Sequence, residues 1–187
     1  MLLSLAGDSL AQTENRPTAL QILEAKVESG DYDAVTAAGS SNDSTLIPYL
    51  KRLASNLEQR NNANGAAFRA HIALVKLGDE TALAEILTEV DAEDPAIQDA
   101  AMRKLSAIGN DAAFGKFYQL LDEASPRKNP RCQTGQMCCV VFFSRSAMAM
   151  FFLSQMVERP PTKNKYGMEK DIPLWKEWFQ MNKPWIQ

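Results

Sequence analysis

The stretch Ala70-His71-Ile72-Ala73-Leu74-Val75-Lys76-Leu77-Gly78-Asp79-Glu80-Thr81-Ala82-Leu83-Ala84-Glu85-Ile86-Leu87 returns in pattern as Ala101-Met102-Arg103-Lys104-Leu105-Ser106-Ala107-Ile108-Gly109-Asn110-Asp111-Ala112-Ala113-Phe114-Gly115-Lys116-Phe117-Tyr118. The offset is 109 − 78 = 31 residues. Small or apolar residues recur at Ala70/Ala101, Leu74/Leu105, Leu77/Ile108 and Leu83/Phe114. Each copy reads as a helix, a glycine stop, an Asp or Asn cap and a second helix. A two-helix unit repeating at this length predicts stacked helix pairs, because one pair cannot bury its apolar face alone.

Working outward toward the N-terminus, Gly39 precedes a helix rich in leucine and reads as a third turn of the same kind, 39 residues before Gly78. Arg16-Pro17 predicts the start of the first helix, with proline in the first turn, where its missing N–H costs nothing. Gly30 reads as its stop. Asp31 is then the expected cap of a short helix, Tyr32 to Ala38, and Asp43 the cap of the next. Glu58 to Asn64 reads as a polar loop. Residues 1–16 form a tail, with two readings: the end of a secretory signal, since Ser9 and Ala11 have the small-residue spacing of a cleavage site, or a frayed helix. The first reading places the protein in the periplasm or outside the cell, the second in the cytoplasm.

Toward the C-terminus, Ser125 to Gln136 is a basic loop. Met137 to Val157 is the most hydrophobic run, 157 − 137 + 1 = 21 residues. That length would just cross a bilayer. Ser144-Arg145-Ser146 falls near its middle, and a central arginine costs about 2.5–3.5 kcal/mol on insertion scales. A core helix is therefore the preferred reading, with no integral membrane span. After the Pro160-Pro161 linker, Asp171 caps a last helix with Pro173 in its first turn and Leu174, Trp175, Trp178, Phe179 and Met181 on one broad side. Together with Trp185 these hold all three tryptophans of the chain. The segment reads as a helix that caps the open end of the array, with an aromatic partner-binding surface at Trp175 and Trp178 as the alternative. The predicted organisation is a repeat domain over 17–158 and a linker with capping helix over 159–187.

Composition narrows the chemistry. The 187 residues are 45% hydrophobic, enough for a core, and carry a formal net charge of −3. Residues 1–124 hold 10 Lys/Arg against 19 Asp/Glu, whereas residues 125–187 hold 10 against 4. Such asymmetry points to contact between the two parts or to two differently charged faces. Acidic repeats argue against nucleic acid, which needs a basic stripe. His71 is the single histidine, so neither a Ser/His/Asp site nor a zinc site is written here, and it reads as a structural histidine in an Ala-rich helix. Cys132, Cys138 and Cys139 suit buried free thiols, or a bridge from Cys132 to one of the other two under oxidising conditions. Asp91, Glu93 and Asp94 lack a calcium-loop pattern and read as a solvated turn.

The segments Leu77-Gly78-Asp79-Glu80-Thr81-Ala82-Leu83 and Ile108-Gly109-Asn110-Asp111-Ala112-Ala113-Phe114, each after an Ala-rich helix, resemble the HEAT-repeat family, especially short bacterial HEAT-like repeats. Gly39 to Leu50 is a weaker copy, and the resemblance covers roughly residues 31–124. It implies an all-α fold: a short right-handed α-α superhelix, armadillo-like, with a C-terminal capping helix. Most members are protein–protein scaffolds. A minority are lyases acting on bilin chromophores, a minority bind damaged DNA, and one branch carries paired His-Glu iron ligands that this chain lacks. The resemblance thus implies a non-enzymatic, monomeric scaffold without cofactor or metal, holding a protein or peptide on a concave face. Arg69, Lys76, Asp99 and Arg103 are the candidate contacts there. The alternative is a small-ligand, bilin-type lyase or binding role, in a pocket between the last repeat and the Trp-rich tail.

Overall fold

A computed structural model describes residues 16–56, 59–123, 144–163 and 168–182. The tail at 1–15, the basic loop with Cys132, residues 137–143 with Cys138 and Cys139, and Trp185 lie outside them. Among the described residues the fold is all-helical, with no strand: α1 (Ala19–Glu28), α2 (Asp33–Ala38), α3 (Ile47–Ala54), α4 (Ala66–Lys76), α5 (Glu80–Glu89), α6 (Pro95–Ile108), α7 (Asp111–Leu120), α8 (Arg145–Met156) and α9 (Ile172–Met181). No described helix is long and apolar enough to cross a membrane.

Local chemistry explains most boundaries. Asp79 accepts from the Ala82 N–H and Asn110 from the Ala113 N–H, both at 3.0 Å, so the two repeat copies start their second helices identically. Asp94 does the same for α6 through the Ala96 N–H, with Pro95 in the first turn. Gly78 is left-handed at φ 88°, and the Gly78 and Asp79 N–H groups close on the Val75 and Leu74 carbonyls. This double return pairs carbonyls that the end of α4 would otherwise leave open. Gly30 ends α1 in the same way, bonding to Val27 while Asp31 bonds to Lys26.

Four expectations need correction. Gly39 does not share the conformation of Gly78 and Gly109: its φ is −64°, an ordinary right-handed value. Glycine is required there by crowding, because a Cβ would stand 2.7 Å from the Ala73 Cα. Pro17 precedes α1; the cap is Thr18, in a reciprocal box with Gln21. Tyr32, not Asp31, stands at the cap position of α2 and makes no side-chain cap bond; the Asp31 carboxylate is held by Lys26 at 3.0 Å, with the Asp33 and Ala34 N–H groups also acting on it. Asp171 makes no side-chain cap on α9 either; it turns back to accept from the Met168 N–H at 2.8 Å.

The apolar side chains form two main clusters. One joins α1 to α4 around Val35, Leu50, Ala70 and Leu74. The other joins α5 to α9 around Ile86, Met102, Leu105, Phe117, Leu153, Trp175 and Phe179. Val75 packs against both. The principal helix contacts run α2–α4, α4–α6 and α6–α8, with α3 on α4, α5 on α6 and α7 on α8. Every second helix from α2 to α8 therefore lies beside the next. The last helix docks by Trp175 and Phe179, both fully buried, while Leu174 and Met181 stay exposed.

Candidate functional site

The helices at even positions carry the polar side chains predicted to meet a partner. Arg69, on α4, donates through Nη1 to Asp33 Oδ1 at 2.5 Å and Thr36 Oγ1 at 3.2 Å, both on α2. Lys76 is exposed in the last turn of α4, where a cation suits the open carbonyls. Asp99 and Arg103 pair along α6, with Nε to Oδ2 at 2.7 Å, and the guanidinium lies 6.0 Å from the Phe152 ring centre on α8. Arg69 thus reaches back to α2 and Arg103 forward to α8. Exposed pairs of this kind are worth about 0–1 kcal/mol each, so a partner's charges exchange with them at little cost.

The two tryptophans fall elsewhere. Trp175 is wholly buried and offers no surface to a partner. Trp178 is half-buried, edge-on to Trp175 at 5.9 Å and to Phe179 at 5.2 Å. Trp175 and Phe179 fill space against α7 and α8, in the region where a ligand pocket between the last repeat and the tail was expected.

A second group of charges gathers around two buried side chains, Lys104 and His71. Lys104, on α6, has no exposed side-chain surface; its Nζ is 3.0 Å from Glu89 Oε2 and 5.6 Å from the Phe68 ring centre. The opposite oxygen of Glu89, Oε1, lies 2.7 Å from Arg60 Nε, and Arg60 Nη2 lies 2.7 Å from Glu85 Oε2. His71, on α4, is 2% exposed, and its Nε2 stands 3.4 Å from that same Glu85 oxygen. Its Nδ1 is buried with no hydrogen-bond partner among the described residues. Burial holds the imidazole below its ordinary value, with Lys104 and Arg60 adding to the shift and Glu85 and Glu89 opposing it. Burial likewise lowers Lys104, against Glu89. With His71 neutral, the set balances: two cations, two carboxylates.

Sequence reasoning singled out only His71 of this set. Lys104 carried a signal, since it stands between Ala101 and Ile108 at the spacing of the buried stripe. Glu85 and Glu89 are four apart on the same side of α5.

Arg60, His71 and Glu85 also line a cleft of about 400 Å3, together with Lys51, Ala54, Ser55, Leu74, Asp79, Thr81 and Ala82. Lys51 and Asp79 close one side as a pair at 2.8 Å. The hydrogen bond from Lys51, helped by the Ala82 N–H, holds the Asp79 carboxyl below its usual range. Ser55 spends its hydroxyl on the Arg52 carbonyl. The lining offers paired charges over an apolar floor, with the hydroxyls of Ser55 and Thr81 among them. Among the described residues no three His, Cys, Asp or Glu gather as a metal site would need.

A third network ties the ends together. Arg145 sits in the first turn of α8, not in the middle of an apolar helix, after the Ser144 cap. It pairs with Asp91, with Glu123 at 2.6 Å, and donates to the Val90 carbonyl at 3.0 Å. Lys116 meets Asp91 at 2.6 Å, and Lys176 of α9 meets Asp122. Basic residues of the later part thus close on carboxylates of the acidic part, the contact that the charge asymmetry suggested.

No protein-family model, curated protein or solved structure matches the chain.

Proposed function

We propose that the chain is a HEAT-like scaffold: helix pairs stacked as a short right-handed solenoid, closed by α9, binding a protein or peptide without catalysing a reaction. The observation that carries this reading is the order of contacts, α2 to α4 to α6 to α8. Stacking of that kind makes a continuous surface from successive helices. Asp33, Arg69, Asp99 and Arg103 are side chains from three of them, and Lys76 extends the set. The net charge of residues 1–124, 10 − 19 = −9, favours a basic protein segment over nucleic acid.

The test is capture of partners from native extract on the wild-type chain and on an Asp33→Lys/Asp99→Lys variant, which reverses two acidic groups that a basic segment would meet. Both should show the same helical circular dichroism and melting temperature, and the variant should lose the partners that the wild type retains. Equal capture by two well-folded proteins would remove this face from consideration.

A further inference from the structure

We infer that Arg60, Glu85 and His71 form a proton-operated clasp: protonating His71 draws Glu85 away from Arg60 and leaves the connection over residues 59–65 held to α5 through the Arg60–Glu89 pair alone. The geometry rests on one shared atom. Glu85 Oε2 is 2.7 Å from Arg60 Nη2 and 3.4 Å from His71 Nε2. At neutral pH the carboxylate belongs to the guanidinium, and the imidazole makes only a long contact.

Arg60 belongs to the turn-rich connection that leads into α4, and its guanidinium joins that connection to α5 through Glu85 and Glu89. The charged groups around His71 come from every side. Glu85 and Glu89 face it from α5, Lys104 from α6 and Arg60 from the connection. Lys51 of α3 and Asp79 at the head of α5 line the same cleft and satisfy each other. An imidazolium is a third cation among two carboxylates, and burial of the ring disfavours it unless a carboxylate closes on it. Glu89 is committed to Lys104, which is completely buried and whose one ion pair among the described residues is with Glu89. Glu85 is the mobile partner, with a side chain 49% exposed. Its swing toward Nε2 turns a long contact into a charge-assisted hydrogen bond. Arg60 then keeps Glu89 alone, and the cleft wall that Arg60 and Glu85 build together parts.

Because His71 is the single histidine, its imidazole signals need no assignment strategy. Heteronuclear NMR on the full chain should follow those signals, the Arg60 Nε–Hε group and the amides of residues 59–65 through an acid titration. The expected result is one shared midpoint: the Arg60 and 59–65 signals shift as His71 titrates. In His71→Gln the shift is lost and the clasp stays closed at both ends of the titration. In Glu85→Gln the imidazole still titrates, but the Arg60 and 59–65 signals no longer follow it. Signals of 59–65 that hold still while His71 titrates in the wild type would overturn the clasp. So would a coupled shift that survives in folded Glu85→Gln.

Discussion

Lys104 and Glu89 are partners, yet removing one should not equal removing the other. Glu89 is shared by Lys104 at 3.0 Å and Arg60 at 2.7 Å, and its side chain is 15% exposed. Lys104 is fully buried, with Glu89 as its one counter-charge among the described contacts. Glu89→Gln therefore strands a buried ammonium, whereas Lys104→Met leaves a carboxylate that Arg60 still neutralises. Stranding a buried charge costs roughly 3–5 kcal/mol, and the low end applies because glutamine still offers a carbonyl to Nζ. Replacing the lysine by an apolar chain of similar length should fall within about 1.5 kcal/mol of wild type. In urea, with a slope of roughly 2 kcal/mol per molar, the first change moves the midpoint down by about 1.5 M and the second by less than half of that. A pH arm separates charge from packing. Burial lowers Lys104 below its ordinary 10.5, so the unfolded chain binds the extra proton as pH rises toward that value. Stability of Glu89→Gln relative to wild type should accordingly recover as pH rises from neutral toward the ordinary lysine value of 10.5. Losses of equal size in the two variants, or a deficit in Glu89→Gln that ignores pH, would refute the asymmetry.

Gly39→Ala should destabilise by about 1–3 kcal/mol, because the added methyl meets backbone at Ala73. Gly→Ala at an unstrained site stabilises by about 0.4–1 kcal/mol, so the sign of the change in a denaturant melt decides whether α2 and α4 touch as described. Trp175→Ala should cost about 3–5 kcal/mol as a large cavity in the cluster beneath α9, read from the same melts. An unchanged midpoint would mean that α9 is not part of the core. His71 has a folded-state value below its ordinary 6.5, so the unfolded chain binds its proton first. Its contribution is therefore complete above pH 6.5 and is lost as pH falls from there through the folded value. His71→Gln should flatten that segment of the stability–pH curve, and an identical slope in the variant would count against it.

The helical class and most element ends were legible because they rest on local chemistry. Asp79, Asn110, Asp94 and Gly78 act within four or five residues of themselves, and sequence order gives those distances directly. Gly39 was misread because its constraint is Ala73, which no local pattern connects to it. Arg145 was read as the flaw in an apolar helix, when Ser144 starts the helix one residue earlier and frees the guanidinium for Asp91 and Glu123. The buried charges were invisible for a related reason. Composition marks Lys104 and Glu89 as surface residues, and only their joint placement lets both leave water.

The two copies of the repeat show how one register serves two purposes. Positions 31 apart share burial: Ala70 and Ala101, Leu74 and Leu105, Ala82 and Ala113, Ile86 and Phe117 are all inside. The same offset pairs Ala73 with Lys104, buried alike and chemically opposite. Ala73 is small where Gly39 comes closest, so α2 and α4 meet backbone to backbone. Lys104 is long, and its ammonium crosses to Glu89 on α5. A lysine at 73 would meet Gly39, and an alanine at 104 would leave a void beneath Phe68 and take one of the two cations from Glu89. The mismatch inside an otherwise matching repeat is thus where the fold sets the spacing of its neighbouring helices. It is also where the charged cluster, and with it the environment of His71, is built.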